Sequence, residues 1–378
     1  MEEIYLDNAA TTRVYEEVAK EVYNQNLNDY GNPSSLHELG EKAQKEMNEA
    51  REKIARSINA KPQEIVFTSG GTESNNFAIL GLIRSSPNRK TIIISGVEHT
   101  SINEICNTLQ SEGGGYKIIK IPVDKQGIIK INDLEKEIEK NSEDLLLVSV
   151  INVNNVIGSV QPIAEIGTMC KKRRVIFHTD AVQSFGKLDL DVKKMNIDLL
   201  SASAHKIGGP KGVGFLFVKE GVNISPLIIG GGQERGLRSG TENVPGIVGF
   251  AKALEMQKKI DKGRINDVRD KFFTELERIG GKINGSKNNR IYNNVHVSFP
   301  GIEANTLIAF LSKKGIYVSS GSACESKKKK EDETLKAIGL TKQEQEGSIR
   351  ITINEEITEK DVYLVVGGIK KALETVRF

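Results

Sequence analysis

Cysteine is scarce in this 378-residue chain. Cys106, Cys170 and Cys324 stand far apart and form no Cys-x-x-Cys pattern. That spacing excludes a disulfide-stapled scaffold and a zinc site built within one chain, and it points to a reducing cytoplasm. An excess of one charge is also missing: 53 Lys and Arg face 50 Asp and Glu, for a net charge of +3. A balance this even argues against nucleic acid or a membrane surface as a general partner. No apolar run approaches the roughly 20 residues that span a bilayer. The opening Met-Glu-Glu-Ile-Tyr has neither the basic nor the apolar region of a secretory leader.

What is present is a core-forming pattern, with 38% hydrophobic residues. Apolar runs of strand length occur at 64–68, 91–95, 117–122, 145–151, 175–177, 199–202 and 214–218. Between them lie segments of helical period at 34–58, 75–84, 100–111 and 163–172. Alternation of this kind predicts an α/β fold with a mostly parallel central sheet covered on both faces. A long helix is expected over 245–271, leading to a smaller α/β domain with strands at 294–299, 317–319 and 348–353. Cys106 and Cys170 fall on amphipathic helices and read as packing residues.

The most unusual stretch is 201–214, Ser-Ala-Ser-Ala-His-Lys-Ile-Gly-Gly-Pro-Lys-Gly-Val-Gly. Apolar runs flank it, so Lys206 is expected in a turn between two buried strands. An amine held out of water loses its proton more readily and becomes a nucleophile toward an aldehyde. Upstream, Val175–Phe177 leads into His178-Thr179-Asp180-Ala181-Val182-Gln183. A carboxylate closing a buried strand, paired with a lysine in a glycine-rich turn, suits pyridoxal phosphate: the lysine bonds the aldehyde and Asp180 keeps the ring nitrogen protonated.

Seven motifs together carry a resemblance: Tyr5–Thr12, Thr68–Asn75, Glu98-His99, His178–Gln183, Ser203–Lys206, Gly230–Thr241 and Ser320–Cys324. In this order the chain resembles the cysteine desulfurases, class V members of the fold-type I pyridoxal-phosphate enzymes. The resemblance implies a large cofactor-binding domain over 14–255 and a small domain made of 1–13 and 256–378. It implies that Gly71, Thr72, Ser203 and His205 hold the cofactor phosphate, with Thr241 supplied by the other subunit of a homodimer. His99 would stack on the ring and move protons. Asn155 and Gln183 would reach the ring hydroxyl, with Asn155 also at the substrate. Arg350, an arginine inside an apolar strand, needs an anion: either a structural ion pair or the carboxylate of L-cysteine. Cys324 would receive the sulfur as a persulfide.

The spacing after Cys324 resembles the long-loop group, which hands sulfur to a scaffold for Fe–S assembly. There Cys324 could also ligate a cluster transiently; no intrinsic metal is expected. Lys327–Lys330 are either a solvated helix start or a dock for an acidic acceptor. Asn32 either shapes a turn or reaches the site. Asn152, Val156 and the run Asn354-Glu-Glu-Ile-Thr depart from the usual family pattern. Two rival functions remain on sequence grounds: a class V aminotransferase or selenocysteine lyase on the same fold, and a non-catalytic sulfur-transfer scaffold.

Overall fold

The computed structural model describes residues 3–111, 113–321 and 332–376. Seven strands form one sheet in the order Ile65–Thr68, Gly214–Val218, Leu199–Ser203, Ile176–Asp180, Leu145–Ser149, Thr91–Ser95, Lys117–Ile121. All neighbours are parallel except at Gly214–Val218, which runs antiparallel to the strands on either side. The expected α/β fold with a mostly parallel sheet is therefore present.

Its cause is legible residue by residue. Strand side chains alternate between faces. Ile93, Phe67, Phe215 and Phe217 join a core with helices Glu38–Ser57, Ile163–Lys172 and Val244–Gln257. Ile92, Ile94, Val66 and Leu216 join a core on the opposite face with helices Gly71–Ser85 and Thr100–Ser111. Both faces being apolar, the strands read as unbroken hydrophobic runs. The edge strand Lys117–Ile121 is the exception; Lys117 and Lys120 are exposed along it, and charged edges resist strand addition. Cys106 and Cys170 are fully buried within helices, and burial pushes each thiol up to about 12.

A separate apolar core gathers residues from both chain ends. Ile4 and Leu6 pack there with Val295, Val297, Ile349 and Ile351. Strand Asn294–Ser298 lies antiparallel between Ser348–Thr352 and Lys282–Ile283, while Ile4–Tyr5 pairs in parallel with Ile316–Tyr317. The single helix expected over 245–271 is two: Val244–Gln257 and Lys262–Arg278. The break has a local reason. Asp261 leaves the helical conformation and its side chain accepts the Arg264 N–H at 3.0 Å, capping a new helix. The helix expected from residue 34 begins at Glu38, where His37 Nδ1 accepts the Gly40 N–H at 3.3 Å.

One buried ion pair pins the glycine-rich loop 230–241 to the sheet. Arg51 Nη1 and Nη2 donate to Glu234 Oε2 and Oε1 at 2.8 and 2.7 Å, and Glu234 Oε2 also accepts the Phe67 N–H at 3.0 Å. Both side chains are under a tenth exposed. Removing one member strands a buried charge, at a cost of about 3–5 kcal/mol, whereas replacing both with apolar residues costs less. Glu234→Ala is therefore expected to lower the urea midpoint more than the double variant Arg51→Met/Glu234→Leu, as followed by circular dichroism.

Candidate active site

Because six of the seven strands share one direction, their carboxyl ends gather along one edge of the sheet, where open α/β folds bind ligands. Thr68, Asp180 and Ser203 all end strands there. Asp180 is 3% exposed. Its Oδ1 accepts the Val182 N–H at 2.9 Å and its Oδ2 accepts Asn75 Nδ2 at 2.8 Å. The same Asn75 nitrogen reaches Ser101 Oγ at 2.9 Å, so both of its hydrogens are committed. Ser101 in turn meets His99 Nδ1 twice, by Oγ at 2.8 Å and by its backbone N–H at 3.1 Å. Since a backbone N–H can only donate, Nδ1 is the acceptor, and the imidazole proton is assigned to Nε2. Burial holds His99 below its ordinary value; the Asp180 charge opposes this and the Lys206 charge adds to it.

Strand Ile65–Thr68 passes through Ser69 and Gly70 into helix Gly71–Ser85. Gly70 has φ +151°, ψ −175°, a conformation open essentially to glycine alone. As the N-cap it offers no side-chain acceptor, so the first helical N–H groups remain available to an anion. A Cβ on Gly71 would sit 2.5 Å from Val182 Cγ2, and one on Gly70 would lie 3.6 Å from Ser203 Oγ. Gly71 and Ser203 thus border the same cradle, next to Asp180. Thr72 is exposed in the first helical turn.

Lys206 occupies a short 3-10 turn between the strands Leu199–Ser203 and Gly214–Val218, as expected. Its Nζ donates to the carbonyls of Ala9 and Ala10 at 2.7 and 2.6 Å. Gln183 Nε2 reaches the same Ala9 carbonyl at 2.9 Å. The arm 7–12 is tied down by Thr12, whose N–H and Oγ1 both donate to the His205 carbonyl, at 2.9 and 3.0 Å. His205 Nδ1 lies 3.1 Å from Thr11 Oγ1, and burial, helped by three nearby lysines, pulls this imidazole down to about 4.

Arg350 is 1% exposed, on strand Ser348–Thr352. Nη2 pairs with Asp7 Oδ1 at 2.7 Å and Nη1 donates to the Asn155 carbonyl at 2.9 Å, while Nε is buried without a partner. The structural ion pair is therefore real, and the Nε–H of the guanidinium stays uncommitted. Asn155 meets Arg350 through its backbone.

Thr241 is exposed at the end of its loop, whose Arg238 Nε donates to Glu73 Oε1 at 2.9 Å. Asn32 Oδ1 accepts the Ser34 N–H at 2.9 Å, which shapes a turn. Cys324 and Lys327–Lys330 lie outside the described residues. The flanks of that stretch are close together: a Cβ on Gly321 would be 3.2 Å from Asp332 Oδ2 and 3.8 Å from Val156 Cγ1. Ser319 exchanges backbone hydrogen bonds with Arg350, at 2.6 and 3.1 Å.

Sequence reasoning assigned no role to Asn75, Ser101 or Lys187, nor a chemical one to Glu98. Glu98 Oε1 accepts the Ile151 N–H at 2.7 Å and the Ser95 hydroxyl, and Oε2 is buried without a partner. Burial, with Asp180 adding to it, pushes this carboxyl up to about 8, so it stays protonated at neutral pH. The one available signal was its place beside His99.

The donor set fits pyridoxal phosphate. Asp180 keeps acceptor capacity for a protonated ring nitrogen, the glycine-lined cradle suits a phosphate, and the Lys206 and Asp180 charges both bear on His99. Comparison with known proteins agrees. The class-V aminotransferase family profile matches residues 4–365. The cysteine desulfurase IscS of Dictyoglomus turgidum is 42% identical over 99% of this chain and 95% of its own. A solved NifS-like protein superposes with a TM-score of 0.92, at 38% identity, over 99% of this chain and all of the other. The structure titled SspA in complex with cysteine gives a TM-score of 0.84 at 36% identity, over 93% of this chain and 99% of that one. On the strength of this full-length kinship and of the cleft itself, the chain belongs to the pyridoxal-phosphate-dependent class-V aminotransferase family, on its cysteine desulfurase branch.

Proposed function

We propose that this protein is a cysteine desulfurase. It takes sulfur from L-cysteine, releases L-alanine, and passes the sulfur through a persulfide on Cys324 to an acceptor protein. The observation that carries the reading is that the arm 7–10 joins Lys206, held by the Ala9 and Ala10 carbonyls, to Arg350, paired with Asp7, while Lys206 and Asp180 both bear on His99 and the chain leading to Cys324 departs from beside Arg350. When bound, the cofactor supplies an aldehyde for the substrate amine and a ring that accepts the electron pair left at the α-carbon.

The chain's own groups do the rest. Asp180 holds a proton on the ring nitrogen. Gly71, Thr72, Ser203 and His205 hold the phosphate, and Gln183 and Asn155 orient the ring. Lys206 Nζ would hold the cofactor aldehyde and is the group that would take the α-proton. Arg350 takes the substrate carboxylate, a planar fork matching two oxygens, with Asp7 yielding or sharing the guanidinium. His99, neutral and protonated at Nε2, is placed to return a proton. Cys324 Sγ forms a bond to the substrate sulfur as the bond from that sulfur to the β-carbon breaks, and the β-carbon then gains a proton.

Three apolar cores keep to a division into domains over 14–255 and over 1–13 with 256–378, and a small fourth one packs Leu335 and Ile338 against Val97, Ile151 and Ile157 across it. A homodimer is supported by large apolar side chains left in solvent, Leu36 at 96% and Ile229 at 82% exposed. Ile229 adjoins the loop that ends in Thr241, which would complete the partner's phosphate site. The proposed acceptor is an Fe–S scaffold or another thiolation protein in the cytoplasm.

Lys206→Ala is expected to abolish both the visible absorption of the bound cofactor and alanine formation from L-cysteine. Cys324→Ser should keep the colour and lose the persulfide, read by mass spectrometry of the intact protein; full desulfuration by that variant refutes its role. Arg350→Lys should raise KM for L-cysteine about 10- to 100-fold, the worth of a lost charge-assisted bidentate pair, with cofactor absorption unchanged.

A further inference from the structure

Strand Asn294–Ser298 turns Val295 and Val297 to the apolar core, which sets Asn294, His296 and Ser298 on its other face, all buried. In register, His296 stands opposite Arg350. Arg350 gives its backbone N–H to Ser319 and takes the Ser319 N–H on its carbonyl, so it exchanges neither with His296. Antiparallel partners of that kind bring their side chains closest, with Cβ atoms about 4.5–5.5 Å apart. Each side chain holds a buried nitrogen without a partner, Nε of Arg350 and Nε2 of His296. A lone pair on the imidazole nitrogen would satisfy the guanidinium.

A chain of hydrogen bonds forbids it. The Ser348 hydroxyl donates to the Glu344 carbonyl at 2.6 Å. A hydroxyl has one hydrogen, so in the 2.7 Å contact between Ser298 and Ser348 it is Ser298 that donates. Ser298 Oγ must then accept from Asn284 Nδ2, at 2.6 Å. The same nitrogen lies 3.0 Å from His296 Nδ1, to which it can only donate. The Asn284 oxygen has no partner, so this relay alone fixes the orientation of the amide. Burial, with the Arg290 and Arg350 charges adding to it, pulls the imidazole down to about 3 and keeps the ring neutral. A neutral ring whose Nδ1 accepts carries its proton on Nε2. Its one lone pair is spent on Asn284, and none is left for Arg350.

We propose that His296 is a positioning residue for Arg350: held in this tautomer, it denies the guanidinium an acceptor and keeps the Nε–H open for the substrate carboxylate. The inference rests on the reading of Arg350 as the carboxylate clamp. Asp7 occupies Nη2, on the same edge of the guanidinium as Nε. A carboxylate that exchanges with Asp7 finds two donors in a row, matching its own two oxygens. An acceptor from His296 would take one of them. Leaving a buried donor empty is costly, and the shift of one proton within the ring would fill it. The relay of Asn284, Ser298 and Ser348 holds that donor empty instead.

Histidine labelled with 15N in the full chain reports the tautomer directly. One of the five histidine signals, identified by its loss in His296→Phe, should be neutral with the proton on Nε2 at pH 7. A proton on Nδ1, or an imidazolium, overturns the proposal. Asn284→Ala releases the Nδ1 lone pair, and the signal should change to the Nδ1–H form. In the loaded enzyme, KM of this variant for L-cysteine should rise about tenfold, the worth of one hydrogen bond to a charged group, with kcat and visible absorption unchanged. The double variant His296→Phe/Asn284→Ala has no ring nitrogen to offer and should bring KM back to within about threefold of wild type, whereas a merely structural loss would deepen. An unmoved KM in Asn284→Ala overturns the proposal, as does a KM that stays raised in the double variant. Arg350→Lys separates the two readings. If it leaves KM unmoved, the clamp itself is refuted and the proposal falls with it; if it raises KM while Asn284→Ala does not, the proposal alone falls.

Discussion

A carboxylate buried at the end of a central strand must be held by donors, and the cleft is built around meeting that demand for Asp180. An unpaired buried charge costs several kcal/mol. Here Val182 and Asn75 supply two donors, which leaves acceptor capacity for a third, the place the proposed function gives to the ring nitrogen of the cofactor. Asn75 gives its other hydrogen to Ser101, and Ser101 fixes His99. The base and the carboxylate are thus oriented by one amide, and a second negative charge is avoided by the proton on Glu98.

The same economy of charge shows in the histidines. His178 lies between Ser149 Oγ at 2.8 Å and Ser201 Oγ at 3.0 Å, and burial pulls it down to about 3. His99 and His205 are lowered by burial too. The cleft keeps its imidazoles neutral, so that lysine, arginine and two aspartates carry the field.

Much of this was legible in the sequence. The sheet strands are apolar from end to end because both faces are covered, and the glycine-flanked Lys206 stood out as a turn. What stayed hidden has physical reasons. The break at 258–261 lies on a polar surface where the helical period continues; only the cap made by Asp261 ends it. Asn75 and Ser101 look like ordinary polar residues near helix starts, and only tertiary folding brings Asn75 to Asp180 and Ser101 to Asn75. Arg350 announced a need for an anion, but nothing nearby in sequence pointed to Asp7, which approaches from the far end of the chain.

That approach is part of a longer seam. Thr352 accepts Asn8 Nδ2 at 2.7 Å through its carbonyl, takes the Ala9 N–H at 3.0 Å on Oγ1, and gives its own N–H to Leu6 at 2.7 Å. The carbonyls that hold Lys206 therefore belong to a segment moored by a strand far downstream, Ser348–Thr352. During synthesis Asn8 must wait for a partner 344 residues downstream before it finds its seat. A nascent polypeptide can fold its large sheet early, yet the arm whose carbonyls hold Lys206 is not moored until Thr352 is in place. On the proposed reading of Lys206, secure loading with cofactor waits on the strand Ser348–Thr352.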